Sequence, residues 1–327
     1  MATVLVAVSA FFILYDFPAT AGFLTEEERA FVVHRLKYQG GAKGTPGAQV
    51  AQNEEFKWVY VKQAFLDWQI WVNILMYWGV SPSPPLHYSR GKPNMTVQVV
   101  CPLYGVSLFL PTIIKNLGYQ SSQAQLMTVP IYITAAILAV IVAYCSDKVG
   151  KRSPFILGPY LMMIAGFSMC IATDPKEHPR VVYGGVYLVA CGIYPAFPGV
   201  ISWLSNNLSG SLKRSVGMAL QIGIGNLGGV SRSLLLLVRD TQVLTCDEQA
   251  MASNFYRAKD GPRYKLGHGL ELGFIGMGII ASLVLLAGYS SENKKRARKI
   301  DEGALDLITP EELSEQGDKA ITFRYVY

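Results

Sequence analysis

The sequence is short of charge and of the side chains that build reaction centres. Asp, Glu, Lys and Arg make up only 16% of its 327 residues, against 51% hydrophobic. Sustained over long windows, that balance excludes an ordinary water-soluble domain. Five cysteines, at 101, 145, 170, 191 and 246, include no C-x-x-C pair and mostly lie inside apolar runs. They read as small packing residues and give no zinc or disulfide framework. The four histidines, at 34, 87, 178 and 268, are scattered without ligand spacing. No nucleophile-and-base pair stands out, and the glycine-rich GIGNLGG lies within an apolar run, where glycines serve close packing. An enzyme is not expected, nor a metal or cofactor. The net charge of +6 comes without a module of interleaved bases and aromatics, so nucleic acid is not an expected partner.

What the sequence does have is long apolar runs joined by short basic connections. The stretch CSDKVGKRSPF (145–155) separates runs at 124–145 and 154–172, each near the roughly 20 residues that cross a bilayer. A cationic hairpin between two spans belongs on the cytoplasmic side. Residues 181–204 make the next span, with Pro195 and Pro198 inside it, and exit at the basic NNLSGSLKRS. Residues 215–229 form a small-residue helix, and a last span at 268–289 leads into a charged tail, 290–327.

Earlier in the chain, residues 1–15 are apolar but too short for a crossing and read as part of a membrane helix. In the segment 16–64, Thr25 and Glu28 form a capping box that starts an expected amphipathic surface helix, and 39–55 is a flexible linker. From Phe65 an apolar run reaches Gly79, is broken, and resumes at Val99. The interruptions 80–98 and 230–249 both open Val-Ser and close on Gln. An intron opening GTGAGT and closing CAG spells those residues in frame. Retained introns are therefore the expectation, with true insertions as the alternative, and the Asn94 glycosylation sequon is then accidental. Excision leaves six spans after the partial one. Alternating them puts eighteen lysines and arginines inside and seven outside, which places the central loop and the tail in the cytoplasm.

Asp147, Lys148, Gly150, Lys151 and Arg152 fit the loop motif of the major facilitator superfamily, roughly GxxxD(R/K)xG(R/K)(R/K), with Ala143 at the first glycine. The stretches DFPATAGFLTEEERAFVVHRLK, LYGVSLFLPTIIKNLGY, SWLSNNLSGSLKRSVGMALQIGIGNLGG and NFYRAKDGPRYKLGHGLELGF add to this. Together they are similar to the fungal anion:cation symporter branch, which holds allantoate permease and the nicotinate and biotin transporters. The resemblance implies an all-α polytopic membrane protein: the end of helix six and the six-helix C-terminal half of such a carrier, in the plasma membrane. It implies proton-coupled transport of a small organic anion by alternating access, at a site between two halves. The partners implied are the lipid bilayer, the anion, the proton, and a missing N-terminal half or an intact carrier. In the motif loop, Asp147 is implied to latch the halves while the bases meet anionic lipid.

Candidate site residues are the intramembrane polar groups, which face a bundle or cavity. Tyr104, Thr112, Gln221 and Asn226, on helices seven and eleven, and Tyr194, on helix ten, are candidates for substrate contact or for helix-to-helix hydrogen bonds. His268 and Glu271, three apart at the start of the last span, are either a proton-coupling pair or an interfacial cap. The rival reading is a non-transporting membrane protein, either an inactive fragment or a modulator of an intact carrier.

Overall fold

In a computed structural model of the chain, the described residues are 22–37, 58–80, 110–111, 113–115, 117–118, 120–230, 264–304, 308, 313 and 316–327. Residues 1–15 and nearly all of the two interruptions lie outside them. The helices are α1 (Glu26–Lys37), α2 (Trp58–Phe65), α3 (Trp68–Val80), α4 (Ser121–Val149), α5 (Ser153–Ala172), α6 (Pro179–Asn207), α7 (Ser211–Val230) and α8 (Lys265–Asp301). A 3-10 turn follows at Gly317–Lys319. The fold is all-α. It divides into a larger unit, Phe56–Leu208 with Leu212–Lys295 and Tyr325–Tyr327, and a smaller one, Met1–Glu55 with Ser209–Ser211 and Arg296–Arg324.

Among the described residues, four helices are long and apolar enough to cross a membrane: Ser122–Val149, Ser153–Ala172, Pro179–Asn207 and Gly267–Asp301. The first shows why these runs are insoluble. Leu126, Val129, Ile133, Ile137, Val140 and Tyr144 recur every three or four residues and are all exposed. An apolar stripe of that length on the outside of a bundle needs lipid to cover it. The protein is a polytopic integral membrane protein.

Inside the larger unit, small residues let backbones approach. A Cβ on Gly166 of α5 would lie 2.5 Å from the Gly185 carbonyl oxygen of α6, and one on Gly79 of α3 would lie 2.5 Å from Gly278 Cα of α8. Beside that second contact, the Tyr160 hydroxyl of α5 donates to the Met76 carbonyl of α3 at 2.6 Å. Ala64, Ile70, Ile74, Leu204 and Leu208 form a buried cluster, flanked by Trp78, Val216, Leu220 and Ile224.

The apolar run from Phe65 is not one helix. The chain breaks at Leu66–Asp67, where Asp67 Oδ1 accepts from the Gln69 amide at 3.2 Å and so caps α3. Trp71 Nε1 bridges the break by donating to the Phe65 carbonyl at 2.8 Å. At its C-terminal end, α8 continues past residue 289 to Asp301. The run ENKKRARK favours helix, and Lys295 pairs with Glu292 one turn back at 2.9 Å.

In the smaller unit, the capping box at the start of α1 is formed. The Thr25 amide and hydroxyl donate to Glu28 Oε2 at 3.0 and 2.9 Å, and the Glu28 amide donates to Thr25 Oγ1 at 3.3 Å. These bonds, the backbone one foremost, hold the Glu28 carboxyl below its usual value. The expected amphipathicity is absent. Ala30, Phe31, Val32 and Val33 are consecutive, so they cover all sides of the helix, and Phe31 is exposed. Elsewhere in this unit, Arg296 Nη1 donates to the Phe323 carbonyl at 3.0 Å.

Candidate functional site

The packing of α3 on α7 brings the most informative polar groups together. Lys213 Nζ meets Asp67 Oδ2 at 2.6 Å, with the two side chains 3% and 6% exposed. Further along, a Cβ on Gly217 would lie 2.9 Å from Ile70 Cδ1, and the Tyr77 ring rests on Gly225. The pairs 67 with 213, 70 with 217 and 77 with 225 advance together, so the two helices run parallel and side by side. That register sets Asn73 and Gln221 at the same level of the seam.

Both are fully buried. Asn73 Nδ2 donates to the Gln69 carbonyl at 3.0 Å. Asn73 Oδ1 and both polar atoms of the Gln221 amide have no hydrogen-bond partner among the described residues. Leaving a buried amide unsatisfied costs about 1–3 kcal/mol per group, so these atoms are available to polar groups from outside the described residues. Next to them, Tyr77 packs against Phe197 of α6 with ring centroids 5.5 Å apart. The seam therefore offers two amides at one level and an aromatic pair one turn further along, chemistry that suits a small planar polar solute. Gln221 Nε2 can donate to a carboxylate, and Asn73 Oδ1 can accept from a ring N–H or hydroxyl.

Of the residues singled out from sequence, Gln221 falls in this seam. Asn226 lies on α7 just beyond Gly225, its side chain outside the described residues, as are Tyr104 and Thr112. Tyr194 is half-buried on α6 and meets the Tyr132 ring of α4 edge-on at 5.9 Å. The structure thus sets it against α4. Asn73, Tyr77 and the Asp67–Lys213 pair were not singled out. Each sits in or beside an apolar run, and only the fold reveals what faces it.

His268 and Glu271, near the start of α8, are 4% and 2% exposed. The His268 ring lies 5.6 Å from that of Phe167 on α5, and Glu271 Oε2 has no hydrogen-bond partner among the described residues. Burial to this degree sets them apart from a solvated helix cap.

The motif loop is organised by Arg152. It pairs with Asp147 at 2.6 Å and donates to Ser146 Oγ at 3.5 Å. With the amide oxygen of Asn206 turned toward it, it also donates to α6 at 3.1 and 3.2 Å. Gly150 makes the turn possible. Its φ of 73° lies in the left-handed region that glycine tolerates, and its amide caps α4 on the Ser146 carbonyl. Asp147, Lys148 and Lys151 are exposed. The loop is therefore a staple between α4 and α6 with two free-standing cationic arms.

Comparison with known proteins follows the same line. Residues 95–241 match the sugar (and other) transporter family. An uncharacterised transporter of Schizosaccharomyces pombe is 29% identical over 315 residues, covering 96% of this chain and 52% of that protein. The high-affinity nicotinic acid transporter of Saccharomyces cerevisiae is 28% identical over 306 residues, 93% of this chain and 48% of that one. A major facilitator-type transporter of Penicillium expansum is 31% identical over 233 residues, 69% of this chain and 40% of that one. No solved structure matches. The chain is a relative of the fungal major facilitator superfamily transporters, and it spans about half the length of the curated relatives it matches.

Proposed function

We propose that this chain builds the second half of a carrier that moves a small organic anion, of the size and planarity of nicotinate, across the plasma membrane with a proton. The observation that carries this reading is the level of the α3–α7 seam. There Asn73 and Gln221 are buried with amide atoms unsatisfied among the described residues, beside the Tyr77–Phe197 pair. The likeness to the nicotinic acid transporter supports the choice of solute class. The buried His268 and Glu271 supply groups able to carry the proton, and the lysines of the motif loop, with the central loop and tail, lie on the cytoplasmic side.

The test is uptake of radiolabelled nicotinate by cells expressing the chain alone, and by cells expressing it joined to the N-terminal half of the yeast nicotinic acid transporter. Little uptake is expected from the chain alone, because a site between two halves needs both walls. The joined protein is expected to take up nicotinate, to lose at least about tenfold with Gln221→Leu, equivalent to roughly 1.4 kcal/mol, and to lose proton dependence with Glu271→Gln. A joined protein that reaches the surface and moves no carboxylate overturns the proposal. Unchanged uptake by Gln221→Leu removes the seam from it.

A further inference from the structure

The segment Tyr325–Tyr327 is held at one end of the larger unit by side chains with no part in the seam described above. Asn293 of α8 closes a two-bond ring with Tyr325: its Nδ2 donates to the Tyr325 carbonyl at 2.8 Å, and the Tyr325 amide donates back to Oδ1 at 2.9 Å. Asn207, at the end of α6, does the same for the next residue. Its Nδ2 donates to the Val326 carbonyl at 3.0 Å, and the Val326 amide donates to Oδ1 at 2.7 Å. Trp203 Nε1 adds a further bond to the Val326 carbonyl at 2.7 Å. Successive residues of an extended chain present their amide and carbonyl to opposite sides. Two asparagines on two helices thus hold the main chain of two consecutive residues. The Tyr325 ring stacks on Tyr289 at 4.8 Å and 24°, and Trp203 meets Tyr289 edge-on at 5.9 Å.

This arrangement has the chemistry to recognise a peptide. Its asparagines satisfy main-chain groups whatever the side chains, and the Tyr289 face selects an aromatic at the first position. Asn207, Trp203 and Tyr289 are fully buried, so the pocket is shaped for its occupant. The α6 partners also lie beyond Pro195 and Pro198, where the missing amide donors weaken the helical ladder. The last turns of α6 lie beyond these two weak points of the ladder.

We propose that Trp203, Asn207, Tyr289 and Asn293 form a peptide-binding cradle for an extended segment that begins with an aromatic residue. In this reading Tyr325–Tyr327 occupies the cradle in cis as a releasable strap, tying the proline-hinged limb of α6 to α8. Residues 302–324 tether the strap, so a competing peptide in solution works against an effective concentration in the millimolar range.

The test uses the purified chain in lipid nanodiscs, intact and lacking Tyr325–Tyr327, with a fluorescent acetyl-Phe-Arg-Tyr-Val-Tyr peptide. The shortened chain is expected to bind it saturably, and the intact chain at least about tenfold more weakly. Asn207→Ala or Asn293→Ala in the shortened chain should lose a further tenfold or more. A peptide N-methylated at the valine amide removes one donor without altering the protein, and it too should bind at least tenfold more weakly. Absence of binding at millimolar peptide, or equal binding of the methylated peptide, overturns the cradle.

Hydrogen exchange tests the strap separately. In the intact-length chain, Asn293→Ala is expected to speed exchange in residues 200–208 by tenfold or more while residues 156–170 of α5 stay unchanged. Equal rates in 200–208 overturn the strap.

Discussion

Lys213→Met isolates the ion pair that anchors the α3–α7 seam. The pair is short, 2.6 Å, and both side chains are almost fully buried. Asp67 has two further bonds, from the Gln69 amide at 3.2 Å and from Gln69 Nε2 at 2.9 Å. Removing the lysine leaves a capped but uncompensated carboxylate inside the unit, and breaking a buried pair this way costs about 3–5 kcal/mol. At roughly 2 °C or more per kcal/mol, the unfolding midpoint should fall by about 6–10 °C. Asp67→Asn keeps an acceptor for the Gln69 amide but strands the ammonium, so it should cost a similar amount. The double replacement, Asp67→Asn with Lys213→Met, strands no charge and should sit within about 1 kcal/mol of the parent. The assay is tryptophan fluorescence of the four proteins unfolded in mild detergent, analysed as a double-mutant cycle. A coupling of at least about 2 kcal/mol is expected, with little change between low and high salt because the pair is shielded from solvent ions. A coupling below about 0.5 kcal/mol would refute the reasoning, since it would mean water reaches the pair.

Two further outcomes follow from local geometry. Gly166→Leu drives its Cβ to 2.5 Å from the Gly185 carbonyl oxygen and 2.6 Å from Val189 Cγ2, so it should cost about 1–3 kcal/mol or more. Gly158→Leu, on the same helix but with nothing within 4 Å, should cost little, and equal unfolding midpoints for the two would contradict the packing described. Glu28 has a lowered pKa in α1, and a peptide spanning residues 22–37 isolates that cap. Its support is therefore full above the unfolded value near 4.5 and lost as pH falls through the lower, folded one. Circular dichroism should show helix content dropping in that acid window, by less in Glu28→Gln, whose amide keeps the capping geometry without titrating.

What could be read from the sequence was what neighbours along the chain decide. The Thr25–Glu28 capping box spans four residues, and the Gly150 turn is set by one left-handed glycine between two runs. The apolar lengths of α4, α5, α6 and α8 are properties of contiguous windows. The seam was hidden because its members are far apart: Asp67 and Lys213 are 146 positions from each other, and their charges looked like ordinary membrane-flanking residues. Asp67 also sits one position before an apolar stretch, so the break that it caps was absorbed into the run. The α1 surface helix shows the opposite limit. Its capping box announces a helix, but a cap says nothing of which sides are apolar, and residues 30–33 are spread round the axis by helical geometry. The cradle leaves no local trace, because its four side chains come from two helices far apart in the chain and meet only in the fold.

The outward stripe on α4 fixes a depth as well as a face. From Leu126 to Tyr144 it measures about 27 Å at roughly 1.5 Å per residue, close to the hydrocarbon interior of a typical bilayer, about 30 Å. The whole helix, 29 residues, is roughly 44 Å long by the same rise. It must therefore lean or protrude, and its final turn, with Asp147 and Lys148, comes to rest among the lipid headgroups. Mismatch between stripe and bilayer costs only fractions of a kcal/mol per Å, yet that is enough to favour membranes whose interior matches Leu126 to Tyr144.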